Sequence, residues 1–287
     1  MTYTKPVPSG RAALLRRKSV VVPAMVAAAL LAIPASSEAV PNSSAPAPAA
    51  AAHAARPTIV LVHGAFADSS SWNGVVDRLE REGYSVVGLA NPLRDLAGDA
   101  AYVSSVLDTI PGPVVLVGHS YGGAVITDAA AGHANVKALV YIAAFAPDQG
   151  ESSLGITSEY PGSRLPSSLV VRPFPGGGQD AYIDPAAFKK VFAADVPTGE
   201  ARLMAAGQRP VALAALAAPS SAPAWRTIPS WYLVAGADQA IPPAAERAMA
   251  QRAHSHTVTV PGASHAVSVS HPKAVADLVV AAARATS

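Results

Sequence analysis

Three residues of this chain have the types and the order that nucleophilic catalysis needs: Ser120, Asp238 and His265. A serine hydroxyl is scarcely ionised at neutral pH. It attacks a carbonyl only when a base within hydrogen-bond reach takes its proton and a third group orients that base. Ser120 lies in Gly118-His119-Ser120-Tyr121-Gly122-Gly123, directly behind the apolar run Pro113–Val117. A Gly-x-Ser-x-Gly in that position has the form of a nucleophile elbow, a sharp turn from strand to helix that exposes the serine. Side chains two positions before and after the serine would strike neighbouring backbone, so glycine is required there. Asp238 follows the apolar run Trp231–Ala235, and His265 follows Val258–Val260. Alone, such residues read as a turn carboxylate and a surface imidazole. Behind an elbow they read as the orienting acid and the general base.

Other residues compete for these roles. Asp148, after the strand ending near Ile142, is a second strand-end carboxylate that could orient the base. His271 precedes a proline at a helix start, and His254 and His256 fall at the entry end of the last strand. His119 reads as a packing residue of the elbow, and His63 as a brace for the loop after the first strand. The developing oxyanion needs backbone N–H donors. Tyr121, next to the nucleophile, supplies one. The second belongs to His63-Gly64-Ala65-Phe66 and is assigned to Phe66, with Ala65 beside it.

The elements that must hold these residues are legible as alternating apolar runs and helical patterns. Strands are expected at Thr58–His63, Ser85–Ala90, Val114–Gly118, Val136–Ile142, Ser230–Ala235 and Thr257–Val260. Helices are expected at Ser71–Glu82, Leu96–Ile110, Tyr121–Gly132, Pro243–Ala253 and Pro272–Ala283. Continuous Val/Ile/Leu runs indicate parallel strands covered on both faces. The fold class is therefore α/β, a doubly wound, mainly parallel sheet with helices on both faces. The rhythm breaks over residues 147–227, which read as a cap inserted over the sheet. Tyr160, Phe174, Tyr182, Phe188, Phe192 and Met204 of this segment are candidate pocket walls.

The first 39 residues read differently. Lys5, Arg11, Arg16, Arg17 and Lys18 precede an apolar stretch from Val20 to Ile33, and Ser37-Glu38-Ala39 is a small-x-small cleavage signal. This is the pattern of a secretory signal peptide cut after Ala39. The stretch is shorter than the roughly 18 residues a spanning helix needs, so no stable membrane anchor is expected after cleavage. The product would be secreted or periplasmic. Residues 40–57, rich in Ala, Pro and Ser, read as a disordered linker, and 58–287 as one domain. The leader holds five of the 21 Lys and Arg but one of the 19 acidic residues, so the mature chain carries a net charge of −2. No basic patch remains for nucleic acid. The chain has no cysteine and therefore no disulfide. Nor does it contain an HExxH, a Cys/His cluster or a dinucleotide fingerprint, so no metal or organic cofactor is expected.

Taken together, His63-Gly64-Ala65-Phe66, the elbow, the Asp238 loop and His265 resemble the α/β-hydrolase fold superfamily. The likeness is to its small capped serine esterases of the methylesterase and hydroxynitrile lyase group, and it runs from about Thr58 to Ala283. The order Ser, acid, His is the one that superfamily uses. The resemblance implies Ser120 as nucleophile, His265 as general base and acid, Asp238 as orienting carboxylate, and Phe66 and Tyr121 as oxyanion donors. The group's lyases carry a lysine directly after the catalytic histidine. Ala266 stands there in this chain, which argues against cyanohydrin cleavage. The expected function is an exported serine hydrolase that cleaves small-molecule carboxylic esters through an acyl-enzyme. The alternatives are another reaction of the same triad (acyl transfer, perhydrolysis, lactone or C–C bond hydrolysis) or a non-enzymatic ligand-binding module.

Overall fold

The structure, a computed structural model, describes residues 56–286. The leader and the linker up to residue 55 lie outside the described residues. Strand β1 (Thr58–Val62) leads through a short turn of 3-10 helix into α1 (Asn73–Arg81), β2 (Val86–Leu89) into α2 (Leu96–Leu107), and β3 (Val114–His119) into α3 (Tyr121–Ala129). After β4 (Val136–Ile142) comes the insertion. It contains α4 (Ser153–Glu159), β5 (Leu169–Phe174), β6 (Gly178–Ile183), α5 (Pro185–Val191), α6 (Thr198–Gly207), β7 (Val211–Ala212) and α7 (Leu213–Ala217). The main alternation then resumes with β8 (Ser230–Ala235), α8 (Pro243–Arg252), β9 (His256–Val260), α9 (Val267–Ser270) and α10 (Pro272–Ala285).

The doubly wound sheet expected from the apolar runs is present. Its order is β2-β1-β3-β4-β8-β9, and every neighbouring pair is parallel. Alternate residues of each strand serve opposite faces. Val60, Val62, Leu116, Leu139 and Val234 join one buried cluster with residues of α2, α3 and α8. Ile59, Leu61, Val115, Val117, Val140 and Leu233 join the other with residues of α1 and α10. Double coverage explains why the central strands carry no polar alternation. At the edge, β9 reads His256-Thr257-Val258-Thr259, all exposed.

The strand order also fixes the place for chemistry. From β1 the chain moves outward to β2, then crosses back to β3 on the other side. The reversal leaves a crevice at the carboxyl ends of β1 and β3. In the register of this pair Val62 lies beside Gly118, so the residues that follow, His63-Gly64 and Ser120, come out next to each other.

The insertion is more ordered than its sequence suggests. Its strands form a separate antiparallel sheet, β5-β6-β7, which the sequence reading does not anticipate. Phe174 and Gly178 close the β5–β6 hairpin across Gly176 and Gly177, whose φ values of 97° and 86° suit only glycine well. The insertion fastens onto loops at the carboxyl end of the main sheet. Ala212 N–H donates to the Leu93 carbonyl (3.0 Å). The Arg94 guanidinium bonds Asp180 (2.8 Å) and the Pro210 carbonyl (3.0 Å). Its buried residues Ile183, Phe188, Val211 and Leu216 belong to the same cluster as α2 and α3.

The central strands therefore carry the fold's stability. Truncation of fully buried Leu116 to Ala should cost about 2–5 kcal/mol, whereas Leu203→Ala on the exposed face of α6 should stay within about 0.5 kcal/mol. Urea unfolding of the two variants checks the contrast.

Candidate active site

The site begins with a strained turn. Ser120 lies between β3 and α3 with φ 55° and ψ −126°, a conformation that costs an L-residue on the order of 1–3 kcal/mol. Ser120 N–H donates to Ile142 O (3.3 Å), and its carbonyl accepts from Gly123 N–H (2.9 Å) and Phe145 N–H (3.1 Å). Space decides the neighbours. A Cβ at Gly122 would lie 2.4 Å from the Val62 carbonyl oxygen, and one at Gly64 would lie 2.5 Å from Ser120 Cβ. The end of β1 and the elbow can approach only as bare backbone.

Ser120, His265 and Asp238 are brought together across three loops. Ser120 Oγ and His265 Nε2 are 2.8 Å apart, and His265 Nδ1 lies 2.5 Å from Asp238 Oδ2. The other Asp238 oxygen accepts from Ala240 N–H (2.6 Å) and Ile241 N–H (3.0 Å). With Oδ2 accepting, Nδ1 carries the ring proton and Nε2 is left to accept from the Ser120 hydroxyl. All three residues are buried, so the chain of bonds lies in a low-dielectric setting where it is strengthened. Asp148, the competing carboxylate, is elsewhere: it pairs with Arg226 at 2.5 Å and makes no bond to His265.

Two further histidines hold this arrangement. His63 is buried, and burial pushes its imidazole down from the ordinary value. Its Nε2 accepts from Asn91 N–H (3.0 Å), so Nδ1–H donates to the Gly64 carbonyl (2.9 Å). His63 thus braces the loop after β1, as its position in the sequence suggests. His119 does more than pack. Its Nε2–H donates to the backbone carbonyl of His265 (2.9 Å), and the two rings lie 4.8 Å apart. Burial, followed by the neighbouring His265, pushes His119 down to about 3. At neutral pH it is therefore an uncharged donor.

The insertion grips the same loop from the other side. Ala266 N–H donates to Phe192 O (2.9 Å), and Ser264 Oγ donates to Asp195. The Phe192 ring meets His265 edge-on at 4.9 Å.

The oxyanion assignment needs correction. Tyr121 is the first residue of α3, where an N–H has no partner within the helix. Its side chain is turned away, with the hydroxyl on Asp99 (2.9 Å). Phe66, by contrast, has φ 61°, and its N–H donates to the Arg209 carbonyl (3.0 Å). That donor is engaged by the insertion. Ala65 N–H makes no hydrogen bond among the described residues and borders the same cavity as Ser120.

That cavity, about 40 Å³, is walled by Phe145, Leu154, Leu165, Leu169, Leu216 and Ile241. None of the six side chains expected as walls lines it. The Phe188 and Phe192 rings meet at a tilt with centroids 5.0 Å apart, Arg94 covers Phe174 and Arg172 covers Tyr182. Met204 lines a separate hollow of about 390 Å³ on the far side of Phe66. The wall beside the serine is mainly aliphatic, with the rings of Phe66 and Phe145 and the hydroxyls of Ser153 and Thr157 among it. Among the described residues no group of three or more His, Asp or Glu is placed to hold a metal ion. The arrangement can take a proton from a hydroxyl, return it to a leaving group and receive an apolar substrate beside the serine.

Comparison with known proteins identifies the family and the fold. Residues 59–278 match the model of the alpha/beta hydrolase family. A carbendazim hydrolyzing esterase from Nocardioides sp. is 33% identical over 144 residues, covering 44% of this chain and 55% of that protein. The crystal structure of a pyrethroid hydrolase from Sphingobium faniae JZ-2 superposes with a TM-score of 0.65 at 25% identity, covering 80% of this chain and 98% of that one. Polyneuridine aldehyde esterase shares the fold, with a TM-score of 0.68 at 18% identity over 79% of this chain and 98% of its own.

The state of His119 has a measurable consequence. The unfolded chain takes up a proton on this imidazole below about 6.5, whereas the folded protein resists it down to about 3. Stability is therefore lost as pH falls through that window. His119→Gln keeps an N–H donor and removes the titration. From pH 6 to pH 4 it should gain on wild type by on the order of 1 kcal/mol per pH unit, read by urea unfolding. A difference independent of pH would contradict the assignment.

Proposed function

This chain belongs to the alpha/beta hydrolase family, and we propose that it is an exported serine esterase that cleaves neutral, apolar carboxylic esters through an acyl-enzyme on Ser120. The observation that carries the reading is the unbroken, buried line of bonds from Ser120 Oγ through His265 to Asp238. In this reading His265 Nε2 takes the Ser120 proton as Oγ attacks the ester carbonyl, and Asp238 stabilises the imidazolium that forms. The oxyanion rests on the N–H groups of Tyr121 and Ala65. His265 gives its proton to the departing alcohol. It then removes one from the water that hydrolyses the acyl-enzyme.

The substrate class follows from the walls. The cavity beside Ser120 offers aliphatic and aromatic surface and no charged side chain, so an ionised acyl group would be desolvated there without a partner. The carbendazim hydrolyzing esterase and the pyrethroid hydrolase, by their names, support a small-molecule substrate. Export rests on the leader alone, whose residues lie outside those described. In this proposal signal cleavage after Ala39 delivers the enzyme to substrates beyond the cytoplasm.

Hydrolysis of p-nitrophenyl esters tests the roles. Ser120→Ala should lose on the order of 10⁶ in kcat, as in a related triad. Asp238→Asn should lose about three to four orders of magnitude, and Asp148→Asn only a few-fold. Equal losses for the two aspartate variants would remove Asp238 from its role.

The narrow cavity sets a second expectation. Across a series from acetate to palmitate, kcat/KM should be highest for the shortest acyl groups and fall toward palmitate. A maximum at palmitate would show that the acyl chain lies outside this cavity.

A further inference from the structure

Behind Asp238 lies a second carboxyl group that the mechanism above does not use. Glu246, in the first turn of α8, is fully buried. One of its oxygens, Oε2, accepts from Ala235 N–H at 2.9 Å. The other, Oε1, has no donor among the described residues. The carbonyl of the same Ala235 accepts from Asp238 N–H at 3.2 Å, so the Glu246 carboxyl is seated against the turn that carries Asp238, and Asp238 is the charged group that acts on it most strongly. Two carboxylates so placed inside a protein, with no cation between them, repel each other strongly. One proton held between them turns the repulsion into a hydrogen bond.

The position of that proton can be argued from the bonds already made. Asp238 accepts from Ala240 N–H, Ile241 N–H and His265 Nδ1–H, so both of its oxygens are already engaged by donors. Glu246 accepts from a single N–H. Burial first, then Asp238, pushes the Glu246 carboxyl well above the ordinary carboxylate range. Of the other groups around it, Arg247 opposes that shift only weakly, and Tyr232 is itself buried and neutral.

On the esterase reading above, we propose that Glu246 is a positioning residue: it keeps its proton and donates it as a hydrogen bond to Asp238, the carboxylate that orients His265. The bond has two effects. It adds a fourth restraint on Asp238, which lies in a loop beyond the end of β8. It also makes Asp238 less basic, so the proton collected from Ser120 stays on the imidazole, from which the leaving alcohol must receive it. α8, far from any substrate, thereby becomes part of the machinery that aims the base.

Two variants and a pH series test this. Glu246→Gln presents an N–H to Asp238 and a carbonyl to Ala235 N–H, so its kcat should stay within about threefold of wild type. Glu246→Leu removes the donor. Its kcat should fall by at least about tenfold while KM changes little, because no substrate contact is lost. The pH series reads the proton itself. An unfolded glutamate releases it above its ordinary value of 4.5, whereas the folded protein keeps it, so wild-type stability falls as pH rises. As pH rises above 5 the unfolding constant of wild type should grow relative to that of Glu246→Gln, by up to about tenfold per pH unit for as long as the folded protein keeps the proton. A ratio that stays flat over this range overturns the proposal, as does a Glu246→Gln variant as impaired as Glu246→Leu. If Glu246→Leu does not fold, Glu246→Gln and the pH series still decide. A wild type inert toward every ester would remove the esterase reading, whereas the pH series judges the shared proton without any turnover.

Discussion

The close approach of two backbones, where β1 and β3 end side by side, is the constraint on which the rest of the site depends. Ser120 is held at φ 55° because Gly118, Gly122 and Gly64 leave no Cβ to push the neighbouring segments apart. A turn of this kind is unfavourable by itself and persists only when its surroundings over-determine it. Here they do so through the buried strand behind it, the helix in front, and the bonds from Ser120 to Ile142, Gly123 and Phe145. Stability gained from strands buried on both faces offsets strain at a single residue.

The base is positioned by a different principle. His265 lies in a buried loop beyond the exposed edge strand β9, and its orientation is set by directed bonds. His119 holds its carbonyl, Phe192 holds the next amide and the ring edge, and Asp238 holds Nδ1. Two of these anchors belong to the main sheet, His119 as the last residue of β3 and Asp238 in the loop after β8, and the third lies on the insertion. The insertion therefore does more than cover the serine. It also holds the histidine that is hydrogen-bonded to Ser120, and its Arg209 carbonyl engages Phe66 in the loop opposite.

Much of this was legible in the sequence because the relevant signals are local. Apolar runs located the six core strands to within a residue or so, and the glycine spacing located the elbow. Asp238 and His265 were identifiable because each follows its strand directly. The features that escaped depend on contacts between distant segments. Nothing near Phe66 announces that its N–H turns to Arg209, and a positive φ at a phenylalanine has no local signature. The β5-β6-β7 sheet is made of short strands with exposed, mixed composition, so periodicity could not separate it from loop. The aromatic residues of the insertion were plausible pocket walls by type, but Phe174 and Tyr182 lie under Arg94 and Arg172, and Phe192 packs against Phe188 and the His265 ring. Glu246 is legible only once Asp238 is seen beside it, since a glutamate in the first turn of a helix is ordinary.

The central claim, that Ser120 is the nucleophile, is tested most directly by reacting the protein with a fluorophosphonate and mapping the modified peptide by mass spectrometry. Such a probe phosphonylates a serine only where a base has activated it. The account predicts one adduct, on Ser120, formed in the wild type and absent from Ser120→Ala. An adduct on another residue, or none on a folded protein, would contradict it.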